Sequence, residues 1–146
     1  LANSGTLVTP TVLSEKTKKE LLSKSDITEA EYRATQSESK KVEVTQEAYY
    51  RVVREGMRQT VTEGTMQLLN LPYIKVAGKS GTAQLGISKK QINSWAVGFF
   101  PSDAPRYAFA VLLERGPYTA TEGGTAAMAV WLDWMNVYAN EYLQGK

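Results

Sequence analysis

The chain has 146 residues, 42% of them hydrophobic, which is enough for about one domain with a real core. Its net charge of +2 is far below the basic density that binding to a phosphate backbone requires, so nucleic acid is not an expected partner. The sequence contains no Cys and no His, which excludes disulfides, thiolate zinc sites and a His-based catalytic triad. We expect neither a metal nor a cofactor.

The first 43 residues predict little buried structure. A turn at Asn3-Ser4-Gly5 precedes an extended run over residues 6–13, which Pro10 interrupts. Residues 14–43 contain seven basic and seven acidic residues, so we expect a mobile connection or a solvent-facing excursion there. The chain opens at Leu1 without an initiating Met, and we interpret it as a piece of a longer protein.

Residues 45–64 have the periodicity of an amphipathic helix, with Thr45 as a plausible N-cap and an end near Gly64. Basic and acidic side chains occupy one face of this helix. The opposite face carries apolar residues at helical spacing: Tyr49, Val52, Val53, Met57 and Val61.

Three strands are predicted next, followed by a helix. Residues 73–78 lead into the first strand, and residues 93–100 and 106–114 form two more around a turn at 101–105. An amphipathic helix over 125–143 places on one face Ala127, Val130, Trp131, Trp134, Tyr138 and Tyr142. The predicted fold class is α+β, an antiparallel meander of three strands or more packed by helices. No apolar run approaches the ~20 residues of a membrane span.

The tetrapeptide Lys79-Ser80-Gly81-Thr82 is the motif that carries chemistry. It is not a phosphate-binding loop, because Tyr73 stands where such a loop needs its first glycine. The ammonium and the two hydroxyls can hold a carboxylate by charge-assisted hydrogen bonds. Gly81 has no side chain, so a peptide could lie against the strand and pair with its backbone.

The motif and its surroundings resemble the C-terminal part of class B penicillin-binding proteins. The resemblance rests on the segments 76–84, 93–101 and 107–111 and on the opening residues 1–10, and covers most of the chain except residues 14–43. It implies a partial serine β-lactamase/transpeptidase-like fold and a peptidoglycan DD-transpeptidase acting outside the cytoplasmic membrane, with a membrane-anchored parent. The implied partners are the D-Ala-D-Ala stem peptide, β-lactams and the missing N-terminal part of the parent.

The resemblance also implies roles for the motif residues. Lys79, Ser80 and Thr82 would contact the substrate carboxylate, Gly81 would line the strand, and the backbone N–H of Thr82 would donate to the oxyanion. The nucleophile is expected elsewhere, because the match Ser37-x-x-Lys40 falls in the charged stretch. We therefore expect this piece alone to be inactive. Two alternatives stay open: a DD-carboxypeptidase or β-lactamase-like acyl-serine hydrolase, and a non-catalytic scaffold with the same sheet.

Overall fold

The computed structural model describes residues 2–3, 5–36, 38–42, 47–87, 90–117 and 123–143. The chain divides into two compact units, Asn3–Glu47 and Ala48–Lys146. Among the described residues, no helix is both long enough and apolar enough to cross a membrane.

The first unit contains a two-stranded antiparallel ribbon and two helices, which lie between the two strands in the sequence. Strand β1 (Thr6–Val8) pairs antiparallel with β2 (Ser39–Lys41), and helices α1 (Glu15–Leu22) and α2 (Glu29–Thr35) lie between them in sequence. The predicted extended run is thus confirmed only over its first three residues.

Helix-capping side chains account for structure in a stretch where no helix was predicted. Ser14 Oγ accepts the Thr17 N–H at the start of α1. Thr28 and Glu31 form a reciprocal capping box at the start of α2, which satisfies two backbone donors that a helix start leaves unpaired. The stretch faces solvent as expected, since Thr35 is its one buried side chain among the described residues. The two helices within this stretch were not predicted.

Helix α3 (Glu47–Thr62) belongs to the second unit except for its first residue, and a short 3-10 helix, Gln67–Leu69, follows it. The predicted helix is confirmed, although its proposed N-cap Thr45 lies outside the described residues. Its predicted apolar face is buried only at Val61, whereas the Val52 side chain is 62% exposed. Most of that face is therefore at least partly exposed to solvent.

The remaining strands form an antiparallel meander, as predicted. Strands β3 (Ala77–Leu85), β4 (Gln91–Phe100) and β5 (Tyr107–Pro117) lie in that order. Residues 73–76, which were predicted to begin the first strand, precede it without joining it. The α+β fold class is confirmed.

Strand β5 was predicted to end at residue 114 but continues to Pro117, because a β-bulge changes the direction of the chain without ending the pairing with β4. Asn93 faces two residues of β5, Glu114 and Arg115, and Arg115 has a left-handed backbone with φ 54°. The Asn93 side-chain oxygen accepts the Arg115 N–H at 3.1 Å. This bond supports a conformation that residues other than glycine adopt at a cost.

Helix α4 (Gly123–Leu143) packs on one face of the sheet and completes the core. The predicted stripe lies only in part on the buried side. Ala127 and Trp131 are buried, and Trp134 packs partly buried against the core. Val130 and Tyr138 are exposed, and the Tyr142 side chain lies outside the described residues. The buried residues of α4 are Ala127, Met128, Trp131 and Met135. Apolar residues occur all around this helix, so its periodicity could not select the buried side.

An aromatic cluster joins α4 to the sheet. Gly98 lies opposite Phe109, and a Cβ at Gly98 would come within 2.7 Å of the Phe109 ring. The missing side chain lets this ring lie across the strand, with its centroid 4.6 Å from that of Trp131. Phe100 completes the cluster through an edge-on contact with Trp131 at 5.5 Å.

Candidate functional site

The Lys-Ser-Gly-Thr motif lies within β3, and the register of the sheet divides its side chains between two faces. Ser80 pairs with Ala96 and Thr82 with Ser94, on the face covered by α4. Lys79 pairs with Val97, and successive side chains in a strand point to opposite faces. The ammonium side chain therefore leaves the strand on the face opposite to the two hydroxyls.

Helix α3 covers the outer edge of β3 only at its beginning. Arg58 donates to the carbonyl oxygen of Val76 at 2.8 Å, and the Thr60 hydroxyl donates to that of Gly78 at 2.6 Å. In an antiparallel pair, the N–H and C=O of one residue point to the same side. Gly78, Ser80 and Thr82 thus direct their backbone groups away from β4.

Beyond Gly78, no described strand pairs with the outer edge of β3. The only described strand that pairs with β3 is β4, on the other side. Thr82 is exposed, and by the alternation above its N–H points to this free edge. The edge therefore presents backbone groups to which an extended peptide could add as a further strand.

The Lys79 ammonium reaches this edge from its own face. Lys79 is exposed, and its Nζ donates to the backbone carbonyl of Ser80. Within the part of the chain that is described, no carboxylate forms an ion pair with it. A positive charge consequently stands at the start of the open edge, available to an anionic ligand.

The side chain of Ser80 is held by two residues that the sequence analysis did not identify. Thr65 Oγ1 lies 2.9 Å from Ser80 Oγ, in the segment between α3 and the 3-10 helix. A Cβ at Gly124 would come within 2.7 Å of Ser80 Cβ, so only glycine allows the first turn of α4 this close to the strand. The glycine pair at the start of an apolar helix was the available sequence signal for this close approach.

Ser94, which pairs with Thr82 in the neighbouring strand, has a structural role. Ser94 is buried, and its Oγ accepts the Ala127 N–H, which ties β4 to the first turn of α4. Lys40 lies exposed on β2, paired with Leu7, while Ser37 lies outside the described residues. No group of three Asp, Glu, His or Cys side chains that could hold a metal occurs among the residues described.

The sequence that carries this site matches a known protein family. A model of the penicillin-binding protein transpeptidase domain matches residues 1–136. The chain belongs to this family. The resemblance inferred from the motif and its neighbouring strands is thereby confirmed.

Two curated proteins that are similar to this chain are named peptidoglycan D,D-transpeptidases. The peptidoglycan D,D-transpeptidase MrdA of Acinetobacter baumannii is 34% identical over 88 residues, which are 51% of this chain and 12% of that protein. The peptidoglycan D,D-transpeptidase PbpA of Mycobacterium tuberculosis is 38% identical over 61 residues, 39% of this chain and 12% of that protein. The chain thus matches about an eighth of the length of each relative.

Solved structures support the fold. Penicillin-binding protein A from M. tuberculosis, in an imipenem acyl-enzyme complex, aligns with a TM-score of 0.56 and 21% identity. The alignment covers 88% of this chain and 27% of that one. A second structure of the same protein gives a TM-score of 0.56 at 22% identity, covering 88% and 29% of the two chains.

Proposed function

We propose that this chain is the C-terminal part of a penicillin-binding peptidoglycan DD-transpeptidase and supplies its substrate-binding strand. The observation that carries the proposal is the outer edge of β3, which bonds to α3 as far as Gly78 and has no described strand paired with it from Ser80 onward. The Lys79 ammonium stands at the point where the cover ends. A stem peptide ending in D-Ala-D-Ala offers an extended backbone and a terminal carboxylate, which suit this edge and this charge.

The proposed roles follow from the positions of the groups. The peptide lies along the free edge, with its carboxylate held by Lys79 and by the hydroxyls of Ser80 and Thr82. Those groups approach the carboxylate from the two faces of the strand. The Thr82 N–H, at the same edge, donates to the oxygen that becomes negative as the carbonyl is attacked.

The reaction is an acyl transfer in two steps. A serine oxygen attacks the carbonyl of the penultimate D-Ala, and the terminal D-Ala leaves with a proton on its nitrogen. The amine of a second stem peptide then attacks the serine ester; the new amide forms the cross-link, the bond to the serine oxygen breaks, and a proton from the amine passes to that oxygen. We propose that this serine and its Lys base belong to a Ser-x-x-Lys sequence in a part of the domain outside this chain.

The same proposal includes the setting of the enzyme. Peptidoglycan precursors are cross-linked outside the cytoplasmic membrane, so the intact protein would work there, held by an anchor outside this chain. A β-lactam would occupy the same edge, since it also offers a carboxylate beside a reactive carbonyl.

Acylation of the intact protein by a fluorescent penicillin tests the proposal. We expect one covalent label on the wild type and a rate constant reduced about 10- to 100-fold in Lys79→Ala, because a charged hydrogen bond contributes about 1.5–3 kcal/mol. Lys75→Ala is the control, since Lys75 pairs with Asp103 away from the motif. An unlabelled wild type, or a Lys79→Ala variant that reacts at the parent rate, would contradict the proposal.

A second assay separates the transferase from the hydrolase. With a D-Ala-D-Ala peptide and an amine acceptor, we expect a new amide product accompanying the release of D-Ala. Release of D-Ala with hydrolysed peptide alone would identify a carboxypeptidase instead.

A further inference from the structure

A bound carboxylate would determine which hydroxyl donates in the hydrogen bond between Thr65 and Ser80. The two oxygens lie 2.9 Å apart, and either can be the donor. A carboxylate can only accept hydrogen bonds, so Ser80 binds it only with its own hydroxyl hydrogen. In that state Ser80 Oγ must be the acceptor from Thr65.

We propose that Thr65 is a positioning residue that donates to Ser80 Oγ and so directs the Ser80 hydroxyl hydrogen toward the substrate carboxylate. The inference rests on the proposed function, which supplies the carboxylate. A hydroxyl that accepts one hydrogen bond also becomes a stronger donor in the next, so the pair would bind the anion better than Ser80 alone.

The backbone around Thr65 is anchored on both sides. The Met66 N–H donates to the Thr60 carbonyl at 2.8 Å, and the Met66 side chain is fully buried in the core. On the preceding side, the Glu63 N–H donates to the Gln59 carbonyl at 2.9 Å. The backbone on both sides of Thr65 is therefore held in place, just after the end of α3 and beside Ser80 of β3.

Ser80 is confined on its other side by α4. A Cβ at Gly124 would lie 2.7 Å from Ser80 Cβ and 3.5 Å from Ser80 Oγ, so the helix limits where the hydroxyl can turn. Among the described side chains, Thr65 is the hydrogen-bond partner of Ser80 Oγ. Removing the Thr65 hydroxyl leaves the Ser80 hydrogen without a defined direction.

The test compares two ligands that differ only in the carboxylate: a fluorescent penicillin and its methyl ester, reacted with the intact protein. For Thr65→Val, we expect acylation by the free acid to slow about three- to tenfold, the effect of one neutral hydrogen bond. Acylation by the ester should change by less than about twofold, because it offers no anion to orient toward. Thr65→Ser, which keeps the hydroxyl, should restore the wild-type ratio.

Two further variants guard against a purely structural effect. Thr65→Ala should give the same change in the ratio as Thr65→Val, and thermal unfolding reports whether either variant is folded. Thr62→Val is the matched control, because the Thr62 hydroxyl bonds only to carbonyls of its own helix among the described residues.

The outcomes separate the two proposals. If Thr65→Val slows both ligands equally, or slows neither, the positioning role is overturned while the labelled wild type still supports the transpeptidase. A wild type that takes no label overturns the proposed function, and this inference with it.

Discussion

The Thr60 hydroxyl donates to the Gly78 carbonyl at 2.6 Å and thereby marks where the outer edge of β3 stops being covered. One residue later the Lys-Ser-Gly-Thr motif begins, and the backbone groups of Ser80 point away from β4 toward the edge where no described strand pairs. The start of β3 is thus bonded to α3, whereas no described strand pairs with the outer edge of its middle, where a ligand could bind.

Removing the Thr60 hydroxyl should destabilise the protein, whereas replacing Thr60 by serine, which keeps the hydroxyl, should not. Thr60→Val leaves the part-buried Gly78 carbonyl without its partner, which costs about 1–3 kcal/mol. Urea denaturation of the intact protein measures the loss. Thr60→Ser keeps the hydroxyl and should lie within about 1 kcal/mol of the wild type; equal losses in both variants would mean that the hydrogen bond is not the cause.

Adding a methyl group at Gly124 should force α4 and β3 apart. The new Cβ would lie 2.7 Å from Ser80 Cβ, and overpacking of this kind costs about 1–3 kcal/mol. Gly56→Ala is the matched control, since a Cβ there meets nothing within 4 Å and removes flexibility from α3. We expect that control to gain about 0.5–1 kcal/mol in chemical denaturation. A Gly124→Ala protein as stable as wild type would refute the close approach.

Gly81→Ala should separate folding from ligand binding. A Cβ at Gly81 would meet Trp95 Cβ at 3.4 Å, an ordinary contact, so the melting temperature should not fall. The added methyl narrows the space beside the proposed peptide edge, and we expect slower acylation by fluorescent penicillin. An unchanged acylation rate would show that the ligand does not approach this glycine.

The ion pair between Lys75 and Asp103 should make stability depend on acid pH. The hydrogen bond from Lys75, at 3.0 Å, holds the pKa of the Asp103 carboxyl below its usual value of 3.8. A lowered folded-state pKa stabilises the protein above the unfolded value, and this contribution is lost as the pH falls through the lowered pKa. Denaturation curves should show Asp103→Asn less stable than wild type at pH 7, with the difference shrinking as the pH falls below 3.8 and disappearing only below the lowered pKa of Asp103. A difference that persists in acid would have another origin.

The isolated 146-residue chain should form no covalent adduct with penicillin. Covalent catalysis requires a nucleophile and a base within hydrogen-bond reach, and the proposed serine lies outside this chain. Exposed apolar residues of α3, including Tyr49 and Val52, should also promote self-association, visible by light scattering. Intact-mass spectrometry decides the first point: a gain of one acyl group, lost when the protein is boiled first, would place the nucleophile here.

The amino-acid sequence by itself determined the local elements and the family. The α3 and α4 periodicities and the turn chemistry at 101–105 each depend on neighbouring residues, so helices and hairpin could be predicted. The capping box at Thr28 and Glu31 was equally local, yet the high charge around it led to the prediction of a mobile connection. The motif was identified because its four residues are contiguous.

Only the tertiary structure decided which surfaces the elements use. Apolar residues surround α4, so the sheet selected Met128 and Met135 for burial where the stripe of aromatics had suggested Tyr138. Thr60, 18 residues before Gly78, bonds to the edge of β3 and so sets where contact with α3 ends. The Ser80 hydroxyl has its hydrogen-bond partner at Thr65, 15 residues earlier. Contacts between distant residues leave no period in the sequence, because they form only when separate elements pack together.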